Sequence, residues 1–133
     1  MTRRMLFETA TALLLFARAA NGQGAPRGRP VFQHDLPNLT LDGWTVTAVE
    51  VAYGPGESSP PHRHPGITIA YVLEGEIRSK VGDEPERTFA TGEMFIETPQ
   101  QLHAVSRNAS ESRPAKLLAI LLSEKGRPLT SPA

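Results

Sequence analysis

The sequence predicts an all-β domain, built as a sandwich or a barrel, on three observations. Apolar residues recur in short alternating runs that are rich in β-branched side chains. Twelve prolines and eleven glycines stand between these runs, where they mark turns. The length of 133 residues suits one domain with one core. We therefore expect many short strands that are joined by tight turns.

Charge and cysteine content exclude several classes of function. Lysine plus arginine and aspartate plus glutamate both number 14, so the formal net charge is zero. A neutral chain lacks the basic surface that binds nucleic acid or an anionic membrane, and we expect no nucleic-acid partner. The absence of cysteine excludes disulfides and thiolate metal sites.

Residues 1–22 have the order of a secretory signal peptide. Arg3 and Arg4 precede an apolar stretch that Glu8 interrupts, and small residues follow from Ala17. The paired arginines also loosely resemble a twin-arginine signal, so the general and the twin-arginine export routes both stay open. The stretch is too short and too interrupted for a membrane span, and we expect none in the mature form. The pattern predicts a periplasmic or secreted protein; the alternative is an amphipathic helix on a cytoplasmic one.

The rest of the chain divides by composition. Residues 23–36, rich in glycine and proline, predict a linker or N-terminal arm, residues 37–126 a β-domain, and residues 127–133 a disordered tail. The last apolar run would suit a helix by its alanine and leucine content, but its length and its position after other strands favour a strand. The predicted strands are 44–53, 67–75, 76–81, 87–90, 93–98, 102–108 and 115–123.

Two of the four histidines stand two residues apart in the stretch PPHRHPG. Residues two apart in an extended segment face one side, so His62 and His64 can present two imidazoles to one divalent ion. A third ligand must come from elsewhere, and His103 is the candidate because a barrel brings distant strands together. The alternatives are a solvated loop pair for the first two and a backbone-bonded ring for His103. His34, near the linker, is expected on the surface.

Glycine and histidine spacing around these residues resembles that of the cupin family. Five residues separate the first glycine of the family's first motif from its H-x-H pair, and a second motif ends on a histidine and an asparagine. The resemblance covers about residues 44–123 and implies a single-domain jelly-roll β-barrel. The matching positions are Gly56, His62, His64 and Gly75 in the first motif and Gly92, His103 and Asn108 in the second.

The chain departs from the family's motifs at two places. The family's glutamate ligand falls on Thr68, or on Ile69 with the longer spacing, and the glycine of the second motif's turn falls on Gln100. A site of three histidines with open coordination positions would suit iron, zinc, copper, nickel or manganese. Without the carboxylate, such a site would be one unit of charge more positive. The alternative is that its loss weakens metal binding until the barrel is only a binding pocket.

Two side chains near the second motif are candidate catalytic groups. Glu97 could substitute as an acid or base, or lie solvated on the surface, and Gln101 could hydrogen-bond a substrate or only shape the turn. The expected pocket residues are Thr68, Tyr71, Met94, Ile96, Gln100 and Val105.

Three classes of function stay open. The first is a metal-dependent enzyme, oxygenase-like (of the dioxygenase type) or a lyase or isomerase, that acts on a small molecule. The second is a non-catalytic module that binds a small molecule or metal, and the third is a metal-free barrel like sugar-modifying relatives, in which His103 does acid–base work. The apolar run LLAILL needs cover on both faces, which predicts a homodimer; the alternative cover is the N-terminal arm.

Overall fold

Ten antiparallel β-strands build the fold in a computed structural model that describes residues 24–133. The predicted signal segment, 1–22, therefore lies outside the described residues, and residues 24–43 carry neither helix nor strand. The strands are β1 (Trp44–Tyr53), β2 (Ser58–Ser59), β3 (His62–Arg63), β4 (Ile67–Glu74), β5 (Glu76–Val81), β6 (Arg87–Ala90), β7 (Met94–Glu97), β8 (Leu102–Asn108), β9 (Ala115–Glu124) and β10 (Ser131–Pro132). Within the described part of the chain, no helix is long and apolar enough to cross a membrane.

The strands form two sheets around one core. The first sheet has the order β1-β9-β4-β7, and the second has the order β10-β3-β8-β5-β6, with β2 also paired to β8. Inward side chains of both sheets, among them Val72, Ile77, Phe95 and Leu117, form the buried cluster. Two antiparallel sheets that close on a shared core are the barrel that the sequence predicts.

The last long apolar run is strand β9, so the alternative of a helix is wrong. Each residue of β9 pairs with β1, and most also pair with β4 on the other side. Its burial alternates, with Leu117, Ala119 and Leu121 buried and the residues between them only half-buried. A central strand satisfies its backbone groups on both sides, and this outweighs the helix propensity of alanine and leucine.

A bulge in β8 decides which of its side chains face inward. His103 lies opposite Val81 and Val105 lies opposite Lys80, so Ala104 is an extra residue. An extra residue resets the alternation of a strand, and for this reason His103 and Ser106 are both buried although they are three positions apart.

The C-terminal tail, 127–133, was predicted to be disordered but instead contains a two-residue edge strand. Ser131 and Pro132 of β10 pair with Arg63 and His62 of β3. The side chain of Leu129 packs against the core cluster. The short strand β3 would otherwise leave one edge unpaired, and the tail satisfies those backbone groups.

Gln100 adopts a backbone conformation that favours glycine. Its φ is +65°, the only positive value for a non-glycine residue between positions 24 and 133. Two hydrogen bonds hold Gln100 against the end of β3 and the residue after it: the Gln100 N–H donates to the His64 carbonyl at 2.9 Å, and the Gln100 carbonyl accepts from Arg63 Nη1 at 2.7 Å. The position is the one at which the second cupin motif carries glycine.

Substituting Gln100 with glycine should therefore stabilise the fold. A left-handed conformation is costly for a residue with a Cβ, while glycine loses more chain entropy on folding, and the balance favours glycine by about 0.5–1 kcal/mol. Urea unfolding should show a higher midpoint with an unchanged slope. Gln101→Gly is the matched control. The Gln101 side-chain Oε1 accepts a hydrogen bond from the Thr98 N–H at 2.9 Å, and losing this bond should lower the urea midpoint. A lower midpoint for Gln100→Gly would contradict the strain argument.

Candidate metal centre

Four side chains with metal-binding atoms converge inside the barrel. One ligand atom from each of His62, His64, Glu97 and His103 lies within 4.8 Å of all the others. His64, Glu97 and His103 are buried, and His62 is half-buried. Small side-chain shifts would bring atoms at this spacing to the about 2.0–2.2 Å at which histidine and carboxylate ligands bind a cation.

Strand pairing positions these four groups. His62 of β3 lies directly opposite His103 of β8, and their ring centroids are 4.9 Å apart. The His64 ring, two residues further on, is also 4.9 Å from that of His62. Glu97 is the last residue of β7, in the other sheet. Two imidazoles from the second sheet and a third, His64, from the segment that follows β3 therefore meet a carboxylate from the first sheet.

Each imidazole is held by a hydrogen bond on the nitrogen that faces away from the cluster. The Nδ1 atoms of His62 and His64 donate to the carbonyls of Pro60 and Leu129, both at 2.8 Å. Because a carbonyl only accepts, these rings keep their lone pairs on Nε2. The third ring, His103, bonds Ser79 Oγ through Nε2 at 2.8 Å, which leaves Nδ1 for the centre. Such bonds fix the tautomer and orientation of metal-binding histidines.

Unpaired polar atoms at the centre fit a bound cation. Glu97 Oε1 and His103 Nδ1 are 3.0 Å apart and fully buried, yet among the described residues neither has a hydrogen-bond partner. The second carboxylate oxygen, Oε2, lies 3.5 Å from His64 Nε2. A buried carboxylate without compensation is costly, and a divalent cation would compensate it together with the lone pairs of the rings. The residues present therefore fit a metal ion.

The environment of His62 favours the neutral, metal-binding form of its ring. Burial lowers the pKa of His62 below its usual value of 6.5, the hydrogen bond to Pro60 raises it in part, and the neighbouring His103 and His64 lower it further. A proton and a metal ion compete for the same lone pair, so a lower pKa leaves His62 Nε2 available at neutral pH.

Glu97 supplies a carboxylate that the sequence-based site of three histidines lacks. It is 2% exposed, so the alternative of a solvated side chain is wrong. Thr68, at the family's glutamate position, lies directly opposite Glu97 in the pairing of β4 with β7. The carboxylate is thus found on the neighbouring strand, and the expectation that the site carries one more positive charge is corrected. Thr68 Oγ1 is itself buried without a partner.

A cavity of about 360 Å³ adjoins the cluster. Its polar lining is the four-residue cluster, Thr68 and a few hydroxyl groups. Its apolar walls include Val49, Val51, Phe95, Leu117, Leu121 and Leu129. A concave, mostly apolar space with a few convergent polar groups is typical of a site for a small molecule.

Most of the other expected pocket residues lie outside this cavity. Thr68 lines it, but the remaining five do not. In β4 and β7 the inward positions are held by Thr68, Ala70, Phe95 and Glu97, so the residues between them point to the other face. In β8 the bulge turns the chain after His103. The five residues outside the cavity are Tyr71, Met94, Ile96, Gln100 and Val105.

Gln101, a candidate catalytic residue from the sequence, closes a turn. Its side-chain oxygen accepts from the Thr98 N–H, and its side chain is absent from the cavity wall. The inward residues that the sequence did not predict include Tyr53 at the end of β1 and Ser106 in β8. Tyr53 alternates in step with Val49 and Val51 along β1, and this pattern alone predicts that it faces the same side as they do. For Ser106 the alternation is broken by the bulge in β8, so the sequence does not indicate which way it faces.

The comparison with known families settles the relationship. The sequence model of the cupin domain matches residues 49–121, more than half of the chain. The chain belongs to the cupin family. The matched residues carry the H-x-H pair, Glu97 and His103.

Known relatives match this cupin over part of their length. The germin-like protein subfamily 2 member 2 of Arabidopsis thaliana is 33% identical over 89 residues, which are 63% of this chain and 40% of that protein. The cupin therefore spans about two fifths of this relative.

Solved structures share the fold at low sequence identity. The DMSP lyase DddQ of Ruegeria pomeroyi superposes with a TM-score of 0.59 at 22% identity, over 66% of this cupin and 43% of that chain. A predicted oxalate decarboxylase of Thermotoga maritima gives 0.51 at 21%, over 56% and 64%. At these identities the likeness establishes the fold alone.

Removing the C-terminal residues 129–133 should weaken metal binding. The truncation deletes the Leu129 carbonyl that holds His64 and also the strand that pairs with β3. Loss of such a supporting bond typically costs about 10–100-fold in metal affinity. Competition with a fluorescent chelator would measure it. Leu129→Ala keeps the carbonyl and should change the affinity by less than about threefold; equal losses in both variants would contradict a role for the carbonyl.

Proposed function

We propose that this cupin is a metal-dependent enzyme that acts on a small molecule in the cavity of about 360 Å³. The observation that supports it is the convergence of His62, His64, Glu97 and His103 on the wall of that cavity, with two buried polar atoms left unpaired. A site that joins a metal to an apolar pocket provides both an electrophile and a place for a substrate.

The three imidazoles and one carboxylate are donors that iron, zinc, copper, nickel or manganese accept. A bound metal would supply Lewis acidity, polarising a substrate oxygen or activating water. Ser79, Pro60 and Leu129 hold the rings in place. With a substrate in place, the apolar walls would reduce the water around it, which would strengthen its electrostatic interactions with the site. We assign the reaction to oxygenase-like chemistry or to a lyase or isomerase step.

One contact favours a second candidate, acid–base catalysis without metal. His103 Nδ1 lies 3.0 Å from Glu97 Oε1. At this distance a carboxylate can orient an imidazole and stabilise its protonated form. In this second function His103 would move the proton and Glu97 would stabilise the imidazolium.

Elemental analysis of the protein, purified without a histidine tag, distinguishes these two functions. We expect about one transition-metal ion per chain, because the four ligand atoms converge on one point. A metal-free protein that reloads no iron, zinc, copper, nickel or manganese would overturn the proposal. Oxygen uptake with catechols and diketones then separates an oxygenase from a lyase or isomerase, and the absence of any turnover would favour a binding module.

We also propose a homodimer through the outer face of the first sheet. Leu118, Ile120 and Leu122 of β9 are half-buried on this face, and Val46 of β1, opposite Leu122, is 66% exposed. An apolar sheet face of this kind suits a second copy of the chain. Gel filtration should show a dimer that Val46→Lys converts to a monomer; a monomeric wild-type protein would contradict it.

We further propose that the protein is exported, on the basis of the segment 1–22. N-terminal sequencing of the protein from the periplasm or medium should begin near residue 23. An intact N-terminus on a cytoplasmic protein would contradict export.

A further inference from the structure

Three hydroxyl groups form a second polar site in the cavity, apart from the metal cluster. Tyr53 OH lies 2.6 Å from Ser59 Oγ and 3.0 Å from Ser106 Oγ, and all three residues line the cavity. We call Tyr53, Ser59 and Ser106 the hydroxyl triad. Tyr53 comes from β1 of the first sheet, and the serines come from β2 and β8 of the second, where they are register partners.

The triad has one donor proton more than it uses. Three hydroxyls carry three protons, and the two contacts to Tyr53 use two of them. Among residues 24–133 the triad side chains make no other hydrogen bond, so the third proton has no protein acceptor. Tyr53 and Ser106 are buried and Ser59 is half-buried. A donor shielded from water is costly when it has no acceptor, and a ligand acceptor in the cavity would remove that cost.

The triad lies at a fixed separation from the metal cluster. Ser106 is three positions after His103 along β8, across the bulge at Ala104, and Ser59 is three positions before His62. At roughly 3.3 Å per regular strand residue, with the bulge shortening β8, the two polar sites are about 7–10 Å apart along the strands. Apolar side chains, including Val51, Phe95 and Leu117, line the same cavity.

We propose that the hydroxyl triad determines substrate specificity by donating a hydrogen bond to a neutral oxygen at the far end of the substrate. This inference rests on the proposed function. The substrate class is a small molecule with a metal-binding oxygen at one end, an apolar body of one six-membered ring or a short carbon chain, and a carbonyl, ether or hydroxyl oxygen at the other end.

Size and charge both support this class. A cavity of 360 Å³ holds about a dozen non-hydrogen atoms, at about 30 Å³ for each. No lysine or arginine of the described residues lines the cavity, so a carboxylate at the triad would have no counter-charge. A compact dianion such as oxalate has no apolar part to contact the walls of the cavity and is too short to reach the triad from the metal centre.

A matched pair of probes tests the triad. 4-Methoxybenzohydroxamate and 4-ethylbenzohydroxamate have the same shape and the same metal-binding group, and only the methoxy compound places an acceptor at the far end. Calorimetry with the metal-loaded protein should show roughly 2- to 10-fold tighter binding of the methoxy compound, the range for one neutral hydrogen bond. The triple variant Tyr53→Phe, Ser59→Ala, Ser106→Ala should lose this preference and keep its affinity for unsubstituted benzohydroxamate.

The outcomes separate the triad from the metal centre. Equal affinities of the wild-type protein for the two probes, or a preference that survives in the triple variant, overturn the inference. If no metal binds, the proposed function fails, and the pair is titrated into the metal-free protein by NMR. If the metal-free wild-type protein binds the methoxy compound more tightly and the triple variant does not, the role of the triad is still supported. If the metal-free wild-type protein binds both compounds equally, the inference is overturned.

Discussion

Replacing His103 with alanine should remove the bound metal and all metal-dependent turnover. This ring is 3% exposed, lies opposite His62 in the strand pairing and faces Glu97 at 3.0 Å. Losing a direct ligand should cost more than the roughly 10–100-fold loss of affinity that follows removal of a supporting residue. Elemental analysis after exhaustive dialysis should find less than about a tenth of the wild-type metal content, given a loss of that size.

His34→Ala is the matched control for this substitution. His34 is exposed and lies outside the cluster, so its removal should leave the metal content unchanged. Ser79→Ala tests the support of the ring: it removes the hydrogen bond to Nε2 and should lower affinity by about 10–100-fold without abolishing binding. Full metal content in a folded His103→Ala protein, checked by circular dichroism, would refute the assignment of this ligand.

Exchanging the cross-strand pair should move the carboxylate without losing the site. Glu97→Thr removes the only carboxylate of the cluster, and we expect metal affinity to fall by at least about 100-fold, as for loss of a direct ligand. Adding Thr68→Glu returns a carboxylate on the neighbouring strand, because Thr68 and Glu97 are register partners and both face inward. The double variant should regain at least about tenfold of the lost affinity, since one charged ligand is worth more than a supporting bond.

The two single variants make the exchange interpretable. Thr68→Glu alone places two carboxylates side by side in a buried site, so it should lower stability. Glu86→Thr, at an exposed position, controls for the loss of one negative charge and should leave affinity unchanged. If the double variant binds metal no better than Glu97→Thr, the two positions are not equivalent.

The histidines were predictable because their information is local. His62 and His64 are two residues apart in an extended segment, and this spacing alone directs both rings to one side. His103 was predicted because a barrel brings distant strands together, and the resemblance to the second cupin motif pointed to the same residue. These three residues do lie together in the structure.

The rest of the site depends on strand pairing that the sequence does not display. Glu97 has its role because β7 pairs with β4 in one register, and a shift of one residue would turn it outward. Val105 lies outside the cavity because of a bulge at Ala104. The tail residues 127–133 look disordered by composition, and only the open edge of β3 gives Ser131 and Pro132 a partner.

The division of the cluster between two sheets has a mechanical consequence. His62 and His103 belong to one sheet and Glu97 to the other, so an ion held by the cluster would cross-link the two halves of the barrel. An ion held in this way binds only the folded barrel. By mass action it therefore raises the free energy of unfolding, by about 2.7 kcal/mol when the free metal concentration is a hundredfold above Kd. Stripped of its ion, the protein should open first along the seam between β3 and β7, where backbone amides would exchange fastest with deuterium.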